Sequence, residues 1–135
     1  MPAGYSARSL VDKLGIKPHT RIAMLGAPRG YRTTLGALPP GVAIATTLRG
    51  TLPLIHFFTK RRVSLESRFP ILTRALTADG ALWISWPKQA SGIATDLTED
   101  GVRAVALAHG LVDVKVCAVD EVWSGLKLVR RLKDR

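Results

Sequence analysis

The chain has 135 residues, 47% of them apolar, and it carries a formal net charge of +10. This length supports one packed domain rather than two, so we expect a single domain over residues 1–135, and the apolar content excludes a disordered chain. No apolar run reaches the ~18 residues that cross a bilayer, which predicts a protein without a membrane partner.

The N-terminal sequence and the cysteine content predict a cytoplasmic protein. The segment Met1-Pro2-Ala3-Gly4-Tyr5 has no basic stretch followed by an apolar core, so we expect no signal peptide. The single cysteine, Cys117, cannot form an internal disulfide and fits a reducing compartment. Because Cys117 lies in an apolar, strand-like run, we interpret it as a buried, inert thiol.

The positive charge favours an anionic partner, such as a phosphate compound, a nucleotide or a nucleic acid. Basic residues are densest in Lys60-Arg61-Arg62 and in the tail that begins at Arg130. Neither group contains the interleaved aromatic residues that stack on bases, so nucleic-acid binding is the weaker hypothesis. A solvated basic surface without a specific partner is the alternative.

The first third of the chain predicts one helix, two strands and little between the strands. Ser6 is a candidate N-cap for a helix that buries Leu10 and Leu14, and Gly15 is expected to end it. The apolar segments 21–27 and 42–47 predict the two strands. The segment between them is short for a crossover helix, so we expect one or two helical turns over residues 33–38.

The middle of the chain predicts two buried strands with a helix between them. Residues 52–59 are apolar without alternation, which is typical of a strand buried on both faces. Ser64 is the expected cap of the following helix, and Asp79-Gly80 is expected to end it. The buried stripe of this helix is formed by Leu65, Phe69, Leu72 and Leu76. Residues 81–88 predict the second strand, which should stop pairing at Pro87 because proline has no N–H to donate.

The last third predicts a helix and a hairpin. Asp96 followed by Glu99 matches a capping box, so Asp96 is expected to begin a helix that runs to Gly110. Residues 111–119 predict a strand, residues 120–125 a turn and residues 126–132 a returning strand. Too few residues intervene for a parallel crossover, so this last pair should be antiparallel.

This order of elements predicts an α/β fold in three layers: a mostly parallel sheet ending in an antiparallel hairpin, with helices on both faces. The topology resembles the Rossmann-like fold of class I S-adenosylmethionine-dependent methyltransferases. That resemblance implies a glycine-rich cofactor loop after the first strand and an acid after the second that binds ribose hydroxyls.

The cofactor motifs of that fold are weak in this sequence. The loop after the first strand contains Pro28 and Arg29, and the second strand leads into Thr46, Thr47 and Arg49 without an acid. A chain that kept the fold but lost or changed its ligand is therefore expected before an intact methyltransferase.

A second resemblance is carried by residues 3–6, 13–18 and 95–100, by Trp86-Pro87-Lys88, and by the motif Asp120-Glu121-Val122-Trp123-Ser124-Gly125 within residues 116–126. These segments resemble a family of short bacterial proteins catalogued as a domain of unknown function. The resemblance implies a bacterial cytoplasmic protein and carries no activity.

Four predicted loops follow strands that run in one direction, so they share the carboxyl edge of the sheet, where open α/β sheets bind ligands. The candidate ligand-binding residues in these loops are Arg29, Gly30, Lys88, Asp120, Glu121 and Trp123. We place the strands before Arg29 and Lys88 side by side, so both cations can hold one phosphate or carboxylate.

Each candidate also has a purely structural interpretation. Lys88 can be a surface lysine paired with Asp120 or Glu121, and Trp123 can pack at the end of the hairpin. Lys60-Arg61-Arg62 precedes a helix, so its charge opposes the helix dipole unless an anion binds there.

The histidines and serines do not indicate a metal site or a nucleophile. None of His19, His56 and His109 has a second histidine or cysteine at metal-ligand spacing, so no metal is expected. His56 lies in an apolar strand and is expected to be a core histidine with satisfied hydrogen bonds. Ser85 lacks the strand-to-helix elbow of a nucleophilic serine.

Three functional hypotheses follow. The main one is a non-catalytic binding or regulatory module that holds an anionic ligand or partner at the carboxyl edge. The alternative is a divergent transferase that uses S-adenosylmethionine or a nucleotide. The third is weak nucleic-acid binding through general basicity. Catalytic residues and a cofactor are not assigned.

Overall fold

A computed structural model of the protein describes residues 8–135. The strands are β1 (Arg21–Leu25), β2 (Ala43–Ala45), β3 (Leu52–Phe58), β4 (Leu76–Pro87), β5 (Leu111–Ala118) and β6 (Trp123–Arg130). The helices are α1 (Leu10–Leu14), α2 (Tyr31–Leu35), α3 (Arg62–Arg74) and α4 (Glu99–Ala108). No helix within the described residues is long and apolar enough to cross a membrane.

The six strands form one sheet in the order β2-β1-β3-β4-β6-β5. Strands β2, β1, β3 and β4 pair in parallel, whereas β6 pairs antiparallel with both β4 and β5. The predicted α/β fold, a mostly parallel sheet that ends in an antiparallel hairpin, is confirmed. The predicted adjacency of the strands before Arg29 and Lys88 is wrong, because β3 lies between β1 and β4.

Helices cover both faces of the sheet. On one face, Phe69 and Leu72 of α3 are fully buried in a cluster with Ile55 of β3 and Ile84 of β4. On the other face, the short helices α1 and α2 bury Leu14, Tyr31 and Leu35 in a cluster with Phe58 and Trp83. The Trp83 indole N–H also donates to the Leu14 carbonyl at 3.0 Å, which ties α1 to the centre of the sheet.

The helix caps differ from the sequence predictions. Helix α3 begins at Arg62, so Ser64 lies inside it, and the Asp96 carboxylate accepts the Arg62 N–H at 2.7 Å. Helix α4 is capped by Thr98, whose hydroxyl accepts the Gly101 N–H at 3.0 Å. Asp96 therefore caps the preceding helix through space instead of beginning its own. The predicted cap Ser6 lies outside the described residues, and Ser9 caps α1.

Strand β4 is longer than predicted because α3 ends at Arg74. Leu76 pairs with Leu52, and the next pair joins Ala81 to Leu54, so residues 77–80 bulge out of the ladder. The Arg130 guanidinium donates to the carbonyls of Thr73, Leu76 and Thr77 and fixes this bulge. The expected helix end at Asp79-Gly80 is thus a strand bulge.

Strand β6 begins at Trp123, earlier than predicted, because the hairpin turn is tighter than the sequence pattern indicated. Residues 123–125, expected in the turn, pair with β4 instead.

Candidate ligand site at the carboxyl edge of the sheet

The predicted loops lie at one edge of the sheet. Residues 28–31 follow β1, residues 60–62 follow β3, and Lys88 follows β4. Asp120 follows β5, which runs in the same direction as β4 because both are antiparallel to β6. Arg29 and Lys88 follow strands that are two spacings apart, about 10 Å between strand axes.

Two glycines shape the loop after β1. Gly26 has φ +68°, and a Cβ atom there would lie 2.8 Å from the Phe58 carbonyl oxygen, so the loop packs directly on the end of β3. Gly30 has φ +84°, and a Cβ atom there would meet nothing within 4 Å. Both positions require the left-handed conformation that glycine adopts without strain. The loop is therefore held close to β3 at one end and faces open space at the other.

A pocket of about 210 Å³ lies beside this loop, at the carboxyl ends of β1 and β2. Met24 and Ile44 supply apolar walls, and Tyr31, Arg32 and Thr46 add polar atoms. The strand order reverses between β1 and β3, and the pocket lies one strand spacing away, outside the carboxyl ends of β1 and β2. Open α/β sheets commonly bind ligands at this position.

A buried hydrogen-bonded relay lies beneath this pocket. The Tyr31 hydroxyl lies 2.7 Å from His56 Nδ1, and His56 Nε2 lies 2.7 Å from Ser85 Oγ. The Phe58 ring stacks on the imidazole with centroids 4.1 Å apart. His56 and Ser85 are fully buried. The expected core histidine with satisfied hydrogen bonds is confirmed.

Burial determines the protonation of the relay. It lowers the pKa of His56 to about 3, so the imidazole is neutral at physiological pH. Burial also raises the pKa of the Tyr31 hydroxyl, and the nearby Cys117 and Asp120 raise it further. In a neutral imidazole one nitrogen donates and the other accepts, so Tyr31 and Ser85 take opposite roles. Since Ser85 does not reach solvent, the relay positions the first residue of α2 and does not attack a substrate.

Lys88 and Asp120 are joined through the hairpin turn. The Asp120 carboxylate accepts the N–H groups of Val122 and Trp123 at 2.8 and 2.7 Å. The Val122 carbonyl accepts the Lys88 N–H at 2.7 Å. Trp123 is 7% exposed and meets the Phe58 ring edge-on at 5.3 Å. Asp120 and Trp123 therefore have structural roles, while Glu121 is exposed. The binding roles of all six candidate residues stay predictions.

A second, wider groove of about 610 Å³ lies beyond β3, with Lys60, Arg61, Thr95 and Asp96 in its lining. The Thr95 hydroxyl donates to the Lys60 carbonyl at 2.6 Å and fixes the loop before α4 against the end of β3. The Asp96 carboxylate on the Arg62 N–H supplies the negative charge that the helix N-terminus favours. The expected conflict between the basic cluster and the helix dipole is thus relieved by the chain itself.

Within residues 8–135, no three histidine, cysteine, aspartate or glutamate side chains lie close enough to hold a metal ion together. Within residues 8–135, the side chains of four cations at this edge form no ion pair: Arg29, Lys60, Arg61 and Lys88. Within the described residues, the carboxyl edge therefore carries four cations without an ion pair, together with the acids Asp96, Asp120 and Glu121.

Solved structures of methyltransferases superpose on most of this chain. One is an S-adenosylmethionine-dependent methyltransferase from Aquifex aeolicus, with a TM-score of 0.65, 12% identity, and coverage of 88% of this chain and 86% of the other. This chain has the fold of the S-adenosylmethionine-dependent methyltransferases. Magnesium protoporphyrin IX methyltransferase from Synechocystis, with bound S-adenosylhomocysteine, gives a TM-score of 0.60 at 11% identity and coverages of 90% and 78%. A fibrillarin pre-rRNA processing protein from Methanococcus jannaschii gives 0.59 at 12% identity and coverages of 85% and 68%.

No protein-family model matches the chain, and no curated protein matches it in sequence. The resemblance to the short bacterial proteins stays a prediction. At these identities the structural matches establish the fold alone.

Proposed function

We propose that this protein is a divergent transferase that binds S-adenosylmethionine, or a related adenosine-bearing ligand, at the carboxyl ends of β1 and β2. The observation that carries the proposal is the pocket of about 210 Å³ beside the Gly26–Gly30 loop, outside the carboxyl ends of β1 and β2. Ligands of open α/β sheets bind at this position. A cytoplasmic location is part of the same proposal.

The residues at the pocket fit the ring-bearing half of S-adenosylmethionine. Met24 and Ile44 form apolar walls suited to a ring, and the open space outside Gly30 admits a ligand close to the backbone. A pocket of about 210 Å³ is smaller than the ~300–1,000 Å³ of typical ligand pockets, so the rest of the molecule would extend along the edge. No acid that could hold ribose hydroxyls follows β2, where Thr46 lines the pocket, so ribose binding would differ from the usual arrangement.

The rest of the edge suits an acidic acceptor. S-adenosylmethionine, when bound, supplies a methyl group on a sulfonium to a nucleophile. An acceptor that is already an anion needs no base to remove a proton, and it would be attracted by Lys60, Arg61 and Lys88. Asp120 is engaged by two backbone N–H groups, which makes it a poor candidate for a general base.

Calorimetry with S-adenosylmethionine and S-adenosylhomocysteine tests the proposal. We expect a dissociation constant of about 100 μM or tighter, which corresponds to roughly −5.5 kcal/mol. Thr46→Phe should weaken binding at least tenfold because Thr46 lines the pocket, whereas Thr47→Phe, the matched change at the next exposed residue, should not. Absence of heat from both ligands at 1 mM (about −4 kcal/mol) would reject the proposal.

The second candidate is the non-catalytic module that binds an anion at the same edge. It is favoured by the cations Arg29, Lys60, Arg61 and Lys88 together with the missing acid after β2. It predicts phosphate binding that Lys88→Met weakens, without any binding of S-adenosylmethionine. The two calorimetric titrations separate the two candidates.

A further inference from the structure

A third cavity, of about 440 Å³, lies at the opposite edge of the sheet. It opens beside the C-terminal end of α1, at the amino ends of β1 and β3 and the carboxyl end of β6. Its floor is apolar and includes Ile22, Leu54 and Ala81. The seven residues of β3 span roughly 20 Å, so this cavity is separate from the carboxyl-edge pocket.

Cations dominate the polar lining of this cavity. Lys17, Lys127 and Arg135 line it, and among the described residues of the lining Asp79 is the acid. Lys115 is the cross-strand partner of Lys127, which brings a fourth cation to the same face. In the part of the chain that the structure describes, none of these four cations forms an ion pair.

Within the described residues, two of the four cations form side-chain hydrogen bonds and two do not. The Lys115 ammonium donates to the Lys13 carbonyl at 3.0 Å, and Arg135 Nε donates to the Arg130 carbonyl at 2.9 Å. No hydrogen bond within the described residues occupies the ammonium groups of Lys17 and Lys127. Burial lowers the pKa of Lys127, and the charges of Lys115 and Lys17 lower it further. Like charges gathered over an apolar floor repel one another, and an anion bound between them would offset this repulsion.

We propose that this cavity binds a small organic phosphate that carries an apolar ring, with its phosphate between Lys17 and Lys127 and its ring on the Ile22–Leu54 floor. The volume of about 440 Å³ lies within the ~300–1,000 Å³ typical of small-molecule pockets. The concave shape favours a small molecule over a nucleic-acid strand, which tracks along an open, aromatic-bearing groove, and no aromatic side chain of residues 8–135 lines the cavity.

Titration of the full chain with 1-naphthyl phosphate, followed by backbone amide NMR, tests this proposal. We expect shifts at Lys17, Leu54 and Lys127, and Lys127→Met should weaken binding at least tenfold while the variant keeps the wild-type melting temperature or exceeds it. Lys60→Met, the same change at the opposite edge, should leave the affinity unchanged. The pKa of Lys127, followed by NMR of methylated lysines, should rise when the ligand is bound.

Three results would overturn the proposal. Neutral 1-naphthol that binds as tightly as its phosphate would show an apolar pocket without an anion site. A ten-nucleotide oligouridylate that binds more tightly than 1-naphthyl phosphate would show a nucleic-acid surface. Weakening by Lys60→Met instead of Lys127→Met would place the phosphate at the carboxyl edge. None of these results depends on whether S-adenosylmethionine binds.

Discussion

His56 Nε2 lies 2.7 Å from Ser85 Oγ across two neighbouring strands, and neither side chain has any surface exposed to water. Because Tyr31 contacts the other ring nitrogen, the imidazole has a partner on both sides. A polar group buried without a partner costs about 1–3 kcal/mol, so this relay stabilises the sheet only when all three members are present.

The relay predicts a pH-dependent stability. The pKa of His56 is about 3 in the folded chain, below its ordinary value of 6.5, so the unfolded chain binds more protons between these values. The contribution of His56 is complete above pH 6.5 and is lost as the pH falls towards 3; it amounts to roughly 3 kcal/mol between pH 7 and pH 4. Urea denaturation of the wild type and of His56→Gln should show this difference.

Tyr31→Phe should destabilise the fold by about 1–3 kcal/mol because His56 Nδ1 then has no partner. Ser85→Ala should cost a similar amount because His56 Nε2 then loses its hydrogen-bond partner. Since both residues act through one imidazole, the double variant should deviate from the sum of the single changes by at least ~0.5 kcal/mol. Additive effects in denaturant unfolding would mean that the three side chains do not form one unit.

Gly26→Ala should cost at least ~1 kcal/mol more than Gly15→Ala. Both glycines have positive φ, +68° and +80°, so both changes carry the strain of a left-handed backbone. Only at Gly26 would the added Cβ lie 2.8 Å from a backbone oxygen, that of Phe58; at Gly15 nothing lies within 4 Å. Thermal denaturation of the two variants compares them directly. Equal melting temperatures would contradict the close approach of this loop to β3.

Leu72→Ala should cost ~2–5 kcal/mol, as other fully buried large-to-small changes do. Its neighbour Ile71 is 46% exposed, so Ile71→Ala should stay within ~1 kcal/mol of the wild type. Urea midpoints of the two variants test which face of α3 packs on the sheet. A larger effect at Ile71 would mean that the face of α3 bearing Ile71, and not the face bearing Leu72, packs on the sheet.

The sequence pattern was sufficient for the strands but not for their order. The buried strands β3 and β4 are readable because their apolar runs lack alternation. The insertion of β3 between β1 and β4 depends on how β2 and β3 are connected, which no local pattern specifies. For this reason the predicted meeting of Arg29 and Lys88 at neighbouring strands was wrong.

The site could be predicted only as far as local signals reach. The apolar run around His56 indicated a core histidine, but its partners Tyr31 and Ser85 are 25 and 29 residues away, on helix α2 and strand β4, and meet it only in the folded sheet. Asp96 looked like the cap of its own helix because a capping box is a local pattern, whereas its actual role on Arg62 is a contact across 34 residues. Long-range pairs of this kind follow from the sheet and cannot be read before it is known.

The two outer strands of the sheet have a consequence for behaviour at high concentration. Strand β2 has only three residues, and the pairing of β5 shifts register between Asp113 and Lys115, next to exposed Val114. A very short strand and a bulged strand offer no regular row of N–H and C=O groups to an added chain. The folded protein should therefore resist growth into cross-β fibres, and fibre formation would have to start from partly unfolded chains.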